Sequence, residues 1–404
     1  MNWHLADRTA RMQSSVIREI LKLADGHQVL SLAGGLPASA AFPAEALAEA
    51  TQRALQRADR RALQYGASEG ITELRDWVVQ QIGTKGRRIT REQVLITTGS
   101  QQALDLLGKV LLQPGRRLGV EQPSYLGALQ AFQVFEPEFV SLASDALGVC
   151  ADGLAGCLSY LIPNYQNPTG LCLPEARRQE IADRLLQSGG SVIEDDPYGE
   201  LWFNAPPPPS LAARCPEQVV YLGSFSKVLA PGLRLGYMVL PDLSCAATRE
   251  LAAKLIQAKQ ASDLHTSTLS QSVALELIRS GWDWGRHLDA VRSLYRQRRD
   301  QMAQALRQQL PSGWEWRVPD GGMFFWLQGP IGLDTQALLP AAVQAGVAFV
   351  PGAAFHTADT PRARATMRLS FVTLDEAQLN EAVVRLGACL HAAQAAWRPA
   401  NLAA

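Results

Sequence analysis

The chain has 404 residues, 47% of them hydrophobic, and its 38 basic and 38 acidic side chains leave no formal net charge. This composition is typical of a globular chain long enough for two domains, and the balanced charge argues against a general nucleic-acid-binding surface. No apolar run could span a bilayer and the opening residues lack the apolar core of a secretory signal, so we expect neither membrane nor nucleic-acid partners.

The pattern of cysteines and histidines indicates the cellular compartment and whether a metal site is expected. Six scattered cysteines form no C-x-x-C pair, and neither they nor the six histidines have the spacing of metal ligands. Scattered cysteines in a chain of this size are typical of reduced thiols. We therefore expect a cytoplasmic protein without a metal site.

The first predicted helix covers residues 14–23, is capped by Ser14 or Ser15, and carries Arg18. A solvated helix arginine is the simpler interpretation of Arg18 from the pattern alone. A short strand then leads into a glycine pair that includes Gly35, where the backbone can approach another group closely.

A strand, a small polar turn and a helix follow one another after residue 94. The strand predicted over residues 94–97 runs into Gly99, Ser100 and Gln101, after a loop in which Tyr65 stands alone. The free N–H groups and the positive dipole end of such a helix suit a phosphate. A plain turn with a serine cap gives the same pattern, so both interpretations stay open.

The alternation of strand, polar loop and helix continues through strands predicted at residues 119–121, 158–163, 191–193 and 219–222. This pattern predicts an α/β domain whose mostly parallel sheet has a ligand crevice at the carboxyl ends of its strands. Several side chains follow directly after strands and are expected to converge there: Ser100, Tyr125, Asn167, Asp195, Tyr198, Ser224, Ser226 and Lys227.

Two charged stretches in this domain carry the chemistry. Lys227 follows a buried strand and two serines, with Arg234 seven residues later, which together suggest an anion cradle that contains an amine. A lysine in an apolar pocket loses its proton easily and becomes a nucleophile towards carbonyls, although a solvated turn lysine fits the local pattern equally well. Three acids, Glu194, Asp195 and Asp196, end another strand and are costly there unless they face solvent or a cation.

After residue 311 the predicted elements change to strands at residues 314–318, 322–327, 347–350 and 367–370, with one helix near 335–345 and a last helix over 375–397. This pattern indicates a smaller α+β domain. Its strand arginine, Arg368, needs an anionic partner, which is either an acid of the same domain or a substrate carboxylate.

Taken together, these stretches resemble the class I/II aminotransferases of fold type I, which use pyridoxal 5′-phosphate. The nearest group is that of 2-aminoadipate aminotransferase and kynurenine aminotransferase II. The resemblance runs along nearly the whole chain and includes VLITTGSQQALDL, YQNPTG, EDDPYGEL, GSFSKVLAPGLRLGY and MRLSF. It implies a large domain with a mostly parallel seven-stranded sheet over residues 41–285. It also implies a smaller C-terminal domain over 286–404, with an N-terminal helix or arm over 1–40 that forms part of this small domain.

The resemblance implies a role for each cofactor-site residue. Lys227 would bind the cofactor covalently and act as acid and base, while Asp195 would pair with the pyridine nitrogen. Tyr198 and Asn167 would bind the phenolic oxygen of the ring, and Tyr125 would stack on it. The phosphate would be held by Ser100, Gln101, Ser224, Ser226 and Arg234. Tyr65 would reach it from a neighbouring subunit, which implies a homodimer. Glu194 and Asp196 would be bystanders.

The resemblance also implies the reaction. Arg368, helped by Gly35 and Asn167, would bind the α-carboxylate of an L-amino acid, and Arg18 would meet a distal carboxylate. We expect ping-pong transfer from 2-aminoadipate, glutamate, or an aromatic or branched amino acid to a 2-oxo acid, with 2-oxoglutarate as the expected acceptor. Two alternatives remain: a β-lyase or decarboxylase on the same scaffold, and an aminotransferase-like regulator. The regulator is disfavoured because the match begins within about the first fifteen residues and leaves no room for a DNA-binding module.

Overall fold

A computed structural model describes residues 3–12, 14, 16–24 and 29–396 of the chain. Ser15, one of the two predicted caps of the first helix, and Trp397, the predicted last residue of the final helix, lie outside the described residues. In the described part, no helix combines the length and the apolar content that a bilayer crossing requires.

The helices predicted at residues 14–23, near 335–345 and at 375–397 are present with ends shifted by at most two residues, as far as the described residues extend. The helices of the structure are α1 (Val16–Ala24), α2 (Ala44–Gln56), α3 (Thr72–Thr84), α4 (Ser100–Leu111), α5 (Leu126–Gln133), α6 (Glu175–Ser188), α7 (Leu211–Arg214), α8 (Ala246–Ser262), α9 (Thr268–Arg279), α10 (Trp284–Gln309), α11 (Thr335–Gln344), α12 (Pro361–Arg364) and α13 (Glu376–Ala396).

The strands are shorter, and several form two-residue pairings. They are β1 (Leu30–Ser31), β2 (Val94–Thr97), β3 (Arg117–Val120), β4 (Glu138–Ser141), β5 (Ser144–Asp145), β6 (Gly148–Val149), β7 (Leu158–Leu161), β8 (Ser191–Asp196), β9 (Val219–Ser224), β10 (Gly236–Val239), β11 (Glu315–Trp316), β12 (Phe324–Gln328), β13 (Val347–Ala348), β14 (Val350–Pro351) and β15 (Thr366–Ser370).

Side-chain caps explain where several helices begin. Ser267 accepts a hydrogen bond from the N–H of Ser270 at the start of α9, and Asp283 accepts one from Arg286 at the start of α10. Asp334 accepts two backbone N–H groups, at 2.8 and 3.1 Å, at the start of α11. Such caps satisfy donors that the first helical turn leaves free.

The larger sheet has seven strands in the order β2-β10-β9-β8-β7-β3-β4, and only β10 runs antiparallel to its neighbours. The prediction of an α/β fold with a mostly parallel seven-stranded sheet is therefore confirmed. The polar loops after β2, β7, β8 and β9 follow the carboxyl ends of strands that run in one direction. They consequently meet at one edge of the sheet, where the candidate site lies.

A smaller sheet has four antiparallel strands in the order β11-β12-β15-β14. The short strand β1 pairs in parallel with β13, so the chain just after the first helix joins the C-terminal part of the fold. This pairing agrees with an N-terminal segment that belongs to the smaller unit. The domain boundaries at residues 40 and 285 remain a prediction.

Candidate active site

Lys227 lies directly after β9, and its Nζ donates a hydrogen bond to the carbonyl of Gly35 at 2.8 Å. Desolvation by the surrounding residues, followed by the positive charges of Arg368 and Arg234, lowers the pKa of Lys227 to about 8. A neutral amine is therefore much easier to obtain here than on a surface lysine, whose pKa is about 10.4. The solvated-lysine alternative does not describe this residue.

Asp195 is buried on β8, and its two carboxyl oxygens have different surroundings. Oδ2 accepts a hydrogen bond from the hydroxyl of Tyr160 at 2.7 Å, while the buried Oδ1 has no partner among the described residues. Burial raises the pKa of Asp195 to about 7, against the lowering effect of the Tyr160 hydrogen bond. A buried acceptor without a donor is costly, so this oxygen suits a protonated ring nitrogen.

The two acids beside Asp195 are also buried, but their hydrogen bonds are complete. Glu194 accepts the backbone N–H groups of Leu211 and Ala212 at 3.0 and 2.8 Å, at the start of α7. Asp196 accepts the Asn164 amide at 2.9 Å and the Tyr221 hydroxyl at 2.7 Å. These acids do not face solvent: N–H and O–H donors of the protein satisfy them, and cations lie nearby, since the charge of Arg178 acts on Glu194 and the charge of Asp196 acts on Lys85.

A candidate phosphate site surrounds the first turn of α4. Gly99, with a φ of 77°, precedes the helix, and Arg234 adopts a left-handed backbone with a φ of 52°. A Cβ on Gly99 would lie 3.0 Å from Nη2 of Arg234, so a side chain there would crowd the guanidinium, and the positive φ also favours glycine. The Arg234 guanidinium and the free N–H groups of the first turn of α4 lie together, which is the arrangement of an anion-binding site.

Three other predicted phosphate ligands lie around this turn: Ser224 and Ser226 at and just after the end of β9, and Gln101 in the first turn of α4. Ser224 ends β9, and its Oγ accepts the backbone N–H of Ser226 at 3.1 Å. The Gln101 side chain instead donates to the carbonyl of Gly127 at 2.8 Å. Gln101 is thus available to an anion through its backbone N–H in the first helical turn.

Arg368 is 1% exposed and forms no ion pair with any residue that the structure describes. Its Nη1 donates to Oδ1 of Asn167 at 2.9 Å, and its Nη2 donates to the carbonyl of Ala33 at 2.8 Å. Nε has no partner in the described part of the chain, and the guanidinium lies 4.2 Å from the ring centroid of Phe324. The alternative of an ion pair within the domain is therefore wrong, and the buried cation still lacks an anion.

Asn167 joins this arginine to Tyr198. The Asn167 amide donates to the Tyr198 hydroxyl at 3.2 Å, while its carbonyl oxygen accepts from Arg368. Lys227, which is hydrogen-bonded to Gly35, lies near these hydrogen bonds, since the charge of Arg368 contributes after burial to the lowered pKa of Lys227. Tyr125 lies close enough to Asp195 for that charge, after burial, to raise its pKa.

The other two predicted residues lie at the surface. Arg18 is exposed on α1, a helix that packs against β14, where Val350 pairs with Arg368. Tyr65 is 79% exposed, with its ring edge-on to His265 at 5.7 Å. Within the described residues, neither side chain has a hydrogen bond or ion pair to the pocket of its own chain.

Sequence reasoning missed two buried side chains that support the site. Tyr160 sits within a predicted strand, and its apolar neighbours gave no reason to single it out. Lys259 is 0% exposed and donates to Asp263, Gln102 and Thr266 at 2.9, 3.0 and 3.1 Å, behind the turn that precedes α4. The spacing of Lys259 and Asp263, four residues apart, was the available signal. No group of three or more potential metal ligands occurs in the described residues.

Comparisons with known proteins agree along the length of the chain. The family model described as aminotransferase class I and II matches residues 28–386. The 2-aminoadipate transaminase of Thermus thermophilus is 42% identical over 391 residues, which cover 94% of this chain and 94% of that protein. The aromatic-amino-acid aminotransferase 1 of Thermococcus litoralis is 39% identical over 400 residues, 95% of this chain and 93% of that protein.

A solved structure shows the same fold. The alpha-aminoadipate aminotransferase of Thermus thermophilus, complexed with N-(5'-phosphopyridoxyl)-L-leucine, aligns with a TM-score of 0.88 and 40% identity. The alignment covers 97% of this chain and 98% of that one.

Proposed function

Because this chain belongs to the class I and II aminotransferase family, we propose that its pocket moves an amino group from an L-amino acid to a 2-oxo acid by a ping-pong mechanism. The chain is a pyridoxal 5′-phosphate-dependent aminotransferase, as its motifs predicted. The proposal for the site rests above all on Arg368, a buried cation that has no anionic partner in the described part of the chain and shares Asn167 with Tyr198. We propose 2-oxoglutarate as the acceptor.

The residues of the pocket fit the cofactor. The unpartnered Oδ1 of Asp195 suits its ring nitrogen, and the space that glycine leaves between Arg234 and the start of α4 suits its phosphate. Ser100, Gln101, Ser224 and Ser226 would complete the phosphate site, Tyr125 would cover the ring, and Tyr198 with Asn167 would bind the phenolic oxygen. When bound, the cofactor supplies an aldehyde for an amine and a ring that accepts electrons.

Lys227 performs the proton chemistry in this proposal. With a pKa lowered to about 8, its amine would bind the aldehyde and, once released, would take the proton from the substrate Cα and deliver it to the carbon of the former aldehyde. Asp195 would stay ionised and hold the proton on the ring nitrogen. Burial of Tyr198 raises its pKa, so its hydroxyl stays protonated and can donate a hydrogen bond.

Substrate recognition would centre on Arg368. A carboxylate can accept from the guanidinium in a bidentate pair, which compensates a charge that folding leaves buried. Gly35 leaves space next to the Arg368 guanidinium. A Cβ at this position would already be in van der Waals contact with the Phe324 ring, at 3.5 Å. We propose that Arg18 on α1 binds the distal carboxylate of 2-aminoadipate or glutamate, while an aromatic or branched donor would displace it outward.

The surface around Tyr65 supports a homodimer. Leu63, Tyr65, Leu264 and Leu269 are 66%, 79%, 46% and 36% exposed. They belong to one surface, because Thr268 at the start of α9 donates to the carbonyl of Gln64 at 2.9 Å. An exposed apolar cluster of this kind marks a protein contact, so we propose that Tyr65 reaches the phosphate of a second subunit across it.

The six free cysteines support the proposed cytoplasmic location.

A screen of half-reactions tests the proposed function. The cofactor-loaded protein is mixed with single L-amino acids, and the visible absorption of the lysine-bound cofactor is followed as the aminated cofactor forms. Rapid loss of the band with aminoadipate and glutamate supports the dicarboxylate donors and a working Arg18. Loss only with aromatic or branched amino acids assigns those donors instead.

The same screen can refute the proposal. An intact band with every amino acid would contradict amino transfer and favour a lyase or a binding role. A band that persists while a substrate fragment is released, as detected by mass spectrometry, would identify a lyase or decarboxylase, because such enzymes regenerate the lysine-bound cofactor in each turnover.

A further inference from the structure

Two consecutive aspartates of β8 each accept a hydrogen bond from a tyrosine. Tyr160 on β7 donates to Oδ2 of Asp195 at 2.7 Å, and Tyr221 on β9 donates to Oδ2 of Asp196 at 2.7 Å. Successive side chains of a strand point to opposite faces of the sheet, so the two pairs lie on opposite sides. The Tyr160–Asp195 pair is on the side of the pocket, and the Tyr221–Asp196 pair is on the other side, where it supports the fold.

Tyr160 is buried in a way that makes its hydroxyl a hydrogen-bond donor to Asp195. The side chain is 0% exposed, and its ring lies edge-to-face against Phe132 with centroids 5.8 Å apart. Burial, and then the charge of Asp195, raises the pKa of Tyr160 well above its usual range, so the hydroxyl remains a donor. Because this donor occupies Oδ2, Oδ1 is the carboxyl oxygen of Asp195 that is left without a partner among the described residues.

We propose that Tyr160 is a positioning residue for the reaction, which acts through Asp195 by occupying Oδ2 and holding Oδ1 towards the ring nitrogen of the cofactor. The inference rests on the proposed role of Asp195. A carboxyl with one oxygen fixed can rotate little, and a hydrogen bond to its charged form keeps it ionised.

The ionisable groups around Asp195 explain why one hydroxyl matters. Tyr125, Tyr160, Tyr198 and Asp196 interact with its charge, and among these four only Tyr160 donates a hydrogen bond to it. Burial and Asp196 raise the pKa of Asp195, whereas the Tyr160 hydrogen bond lowers it. Removal of the hydroxyl therefore raises the pKa, and a larger fraction of Asp195 is protonated at neutral pH. A protonated Asp195 cannot stabilise a protonated ring nitrogen.

The test compares Tyr160→Phe with Tyr221→Phe, since each removes one hydroxyl that donates at 2.7 Å to an aspartate of β8. The dissociation constant of pyridoxal 5′-phosphate is measured on each apoenzyme from low to high pH. Loss of one hydrogen bond to a charged group predicts about tenfold weaker binding near neutral pH for Tyr160→Phe. We expect the acid side of its binding profile to move to higher pH by about one unit. Tyr221→Phe should keep both quantities within about twofold.

The double variant Tyr160→Phe/Asp195→Asn separates positioning from packing. If Tyr160 acts through Asp195, the Tyr160 change adds nothing to binding once Asp195 carries no charge. Additive losses in the double variant, an unshifted pH profile in Tyr160→Phe, or equal losses in Tyr221→Phe would each overturn the proposal. Should Tyr160→Phe fail to fold, 3-fluorotyrosine can be placed at position 160, because it keeps the shape of the side chain and strengthens the hydroxyl as a donor. Unchanged affinity for the cofactor would then contradict the proposal.

These results do not depend on whether the proposed reaction occurs. Cofactor binding is measured without a substrate, so inactivity towards all amino acids would leave the Tyr160 result intact. Conversely, Asp195→Asn with unchanged cofactor binding would show that the role of Asp195 itself is wrong.

Discussion

At the scale of single residues, the pocket collects charges that folding would ordinarily avoid. Among the described residues, Arg368 is a buried cation without an acid and Asp195 is a buried acid with one unpartnered oxygen, while Lys227 is an amine with a pKa of about 8. Each arrangement costs free energy unless a ligand compensates it. Perturbed groups of this kind concentrate at functional sites because a ligand compensates them.

Replacement of Lys227 by alanine should abolish the visible band of the lysine-bound cofactor and reduce turnover by a factor of about 10³ or more, since the acid–base group is lost. The spectrum and the single-turnover rate measure both effects. Lys254→Ala, at an exposed position of α8, is the control and should change neither. Full activity of Lys227→Ala with natural amino acids would refute its assignment.

Arg368→Lys keeps the positive charge but removes the planar fork that binds a carboxylate through two parallel hydrogen bonds. We expect kcat/KM for amino donors to fall about 100-fold, which corresponds to about 2.7 kcal/mol of transition-state stabilisation. Cofactor binding should stay within about twofold, because Arg368 is not among the residues proposed to contact the cofactor and lysine keeps the positive charge. A kcat/KM near that of the wild type would contradict the carboxylate role.

The lowered pKa of Lys227 predicts a pH dependence for the apoenzyme. Its reactive form is the neutral amine, so the rate at which it captures pyridoxal 5′-phosphate should rise with pH and level off above about 8. The positive charge of Arg368 contributes to the lowering, so Arg368→Gln should move the inflection to higher pH. Stopped-flow absorbance over a pH series measures this, and an inflection that moves down would contradict the electrostatic explanation.

At the scale of elements, the turn before α4 depends on a helix that is distant in the chain. Lys259 and Asp263 lie at the end of α8, and they hold Gln102 and Thr98 through hydrogen bonds of 3.0 and 2.9 Å. Gln102 in turn accepts the backbone N–H of Thr98 at 2.8 Å. The candidate phosphate site is therefore supported by a buried polar network as well as by its own glycine.

Lys259→Met should lower the free energy of unfolding by about 2 kcal/mol, because it removes the donor from a buried, hydrogen-bonded ion pair. Cofactor affinity should fall with it, since the turn loses its support. Lys109→Met is the matched control, because Lys109 pairs with Asp105 with the same helical spacing but at the surface, with 40% of its side chain exposed. Exposed pairs contribute less than about 1 kcal/mol, so equal losses in urea denaturation would contradict the network argument.

Most elements of the large sheet could be predicted because short apolar runs bounded by turn residues mark buried strands. Two strands could not. β10 begins at Gly236, shortly after a left-handed Arg234, and β4 has a partly exposed pattern without a clear alternation. The end of β8 was also placed too early, because three acids look like a loop until their hydrogen-bond donors are known.

At the scale of the whole molecule, the sequence could predict the fold and the set of site residues but not the contacts that connect them. The hydroxyl of Tyr160 matters only because β7 pairs with β8 and brings it to Asp195. Arg368 could equally have paired with an acid of its own domain. Only the packing of strands from both parts of the chain shows that it does not.

The proposed homodimer can be tested at the surface around Tyr65. Leu63→Glu should place a charge in the proposed contact, so the protein should become monomeric in light scattering and bind the cofactor more weakly. Leu186→Glu, at a position of α6 that is 59% exposed, is the control and should leave the assembly unchanged. A wild-type protein that is monomeric and fully active would refute the dimer.

The hydrogen bond from Arg368 to the carbonyl of Ala33 joins residues 335 positions apart in the chain. A ribosome delivers the chain from its amino end, so the loops that would hold the phosphate and Lys227 emerge well before Arg368. A nascent chain can therefore complete the cofactor half of the pocket while it still has no fork for a substrate carboxylate. The position of Arg368 in the chain therefore makes the substrate half of the pocket the last to be synthesised.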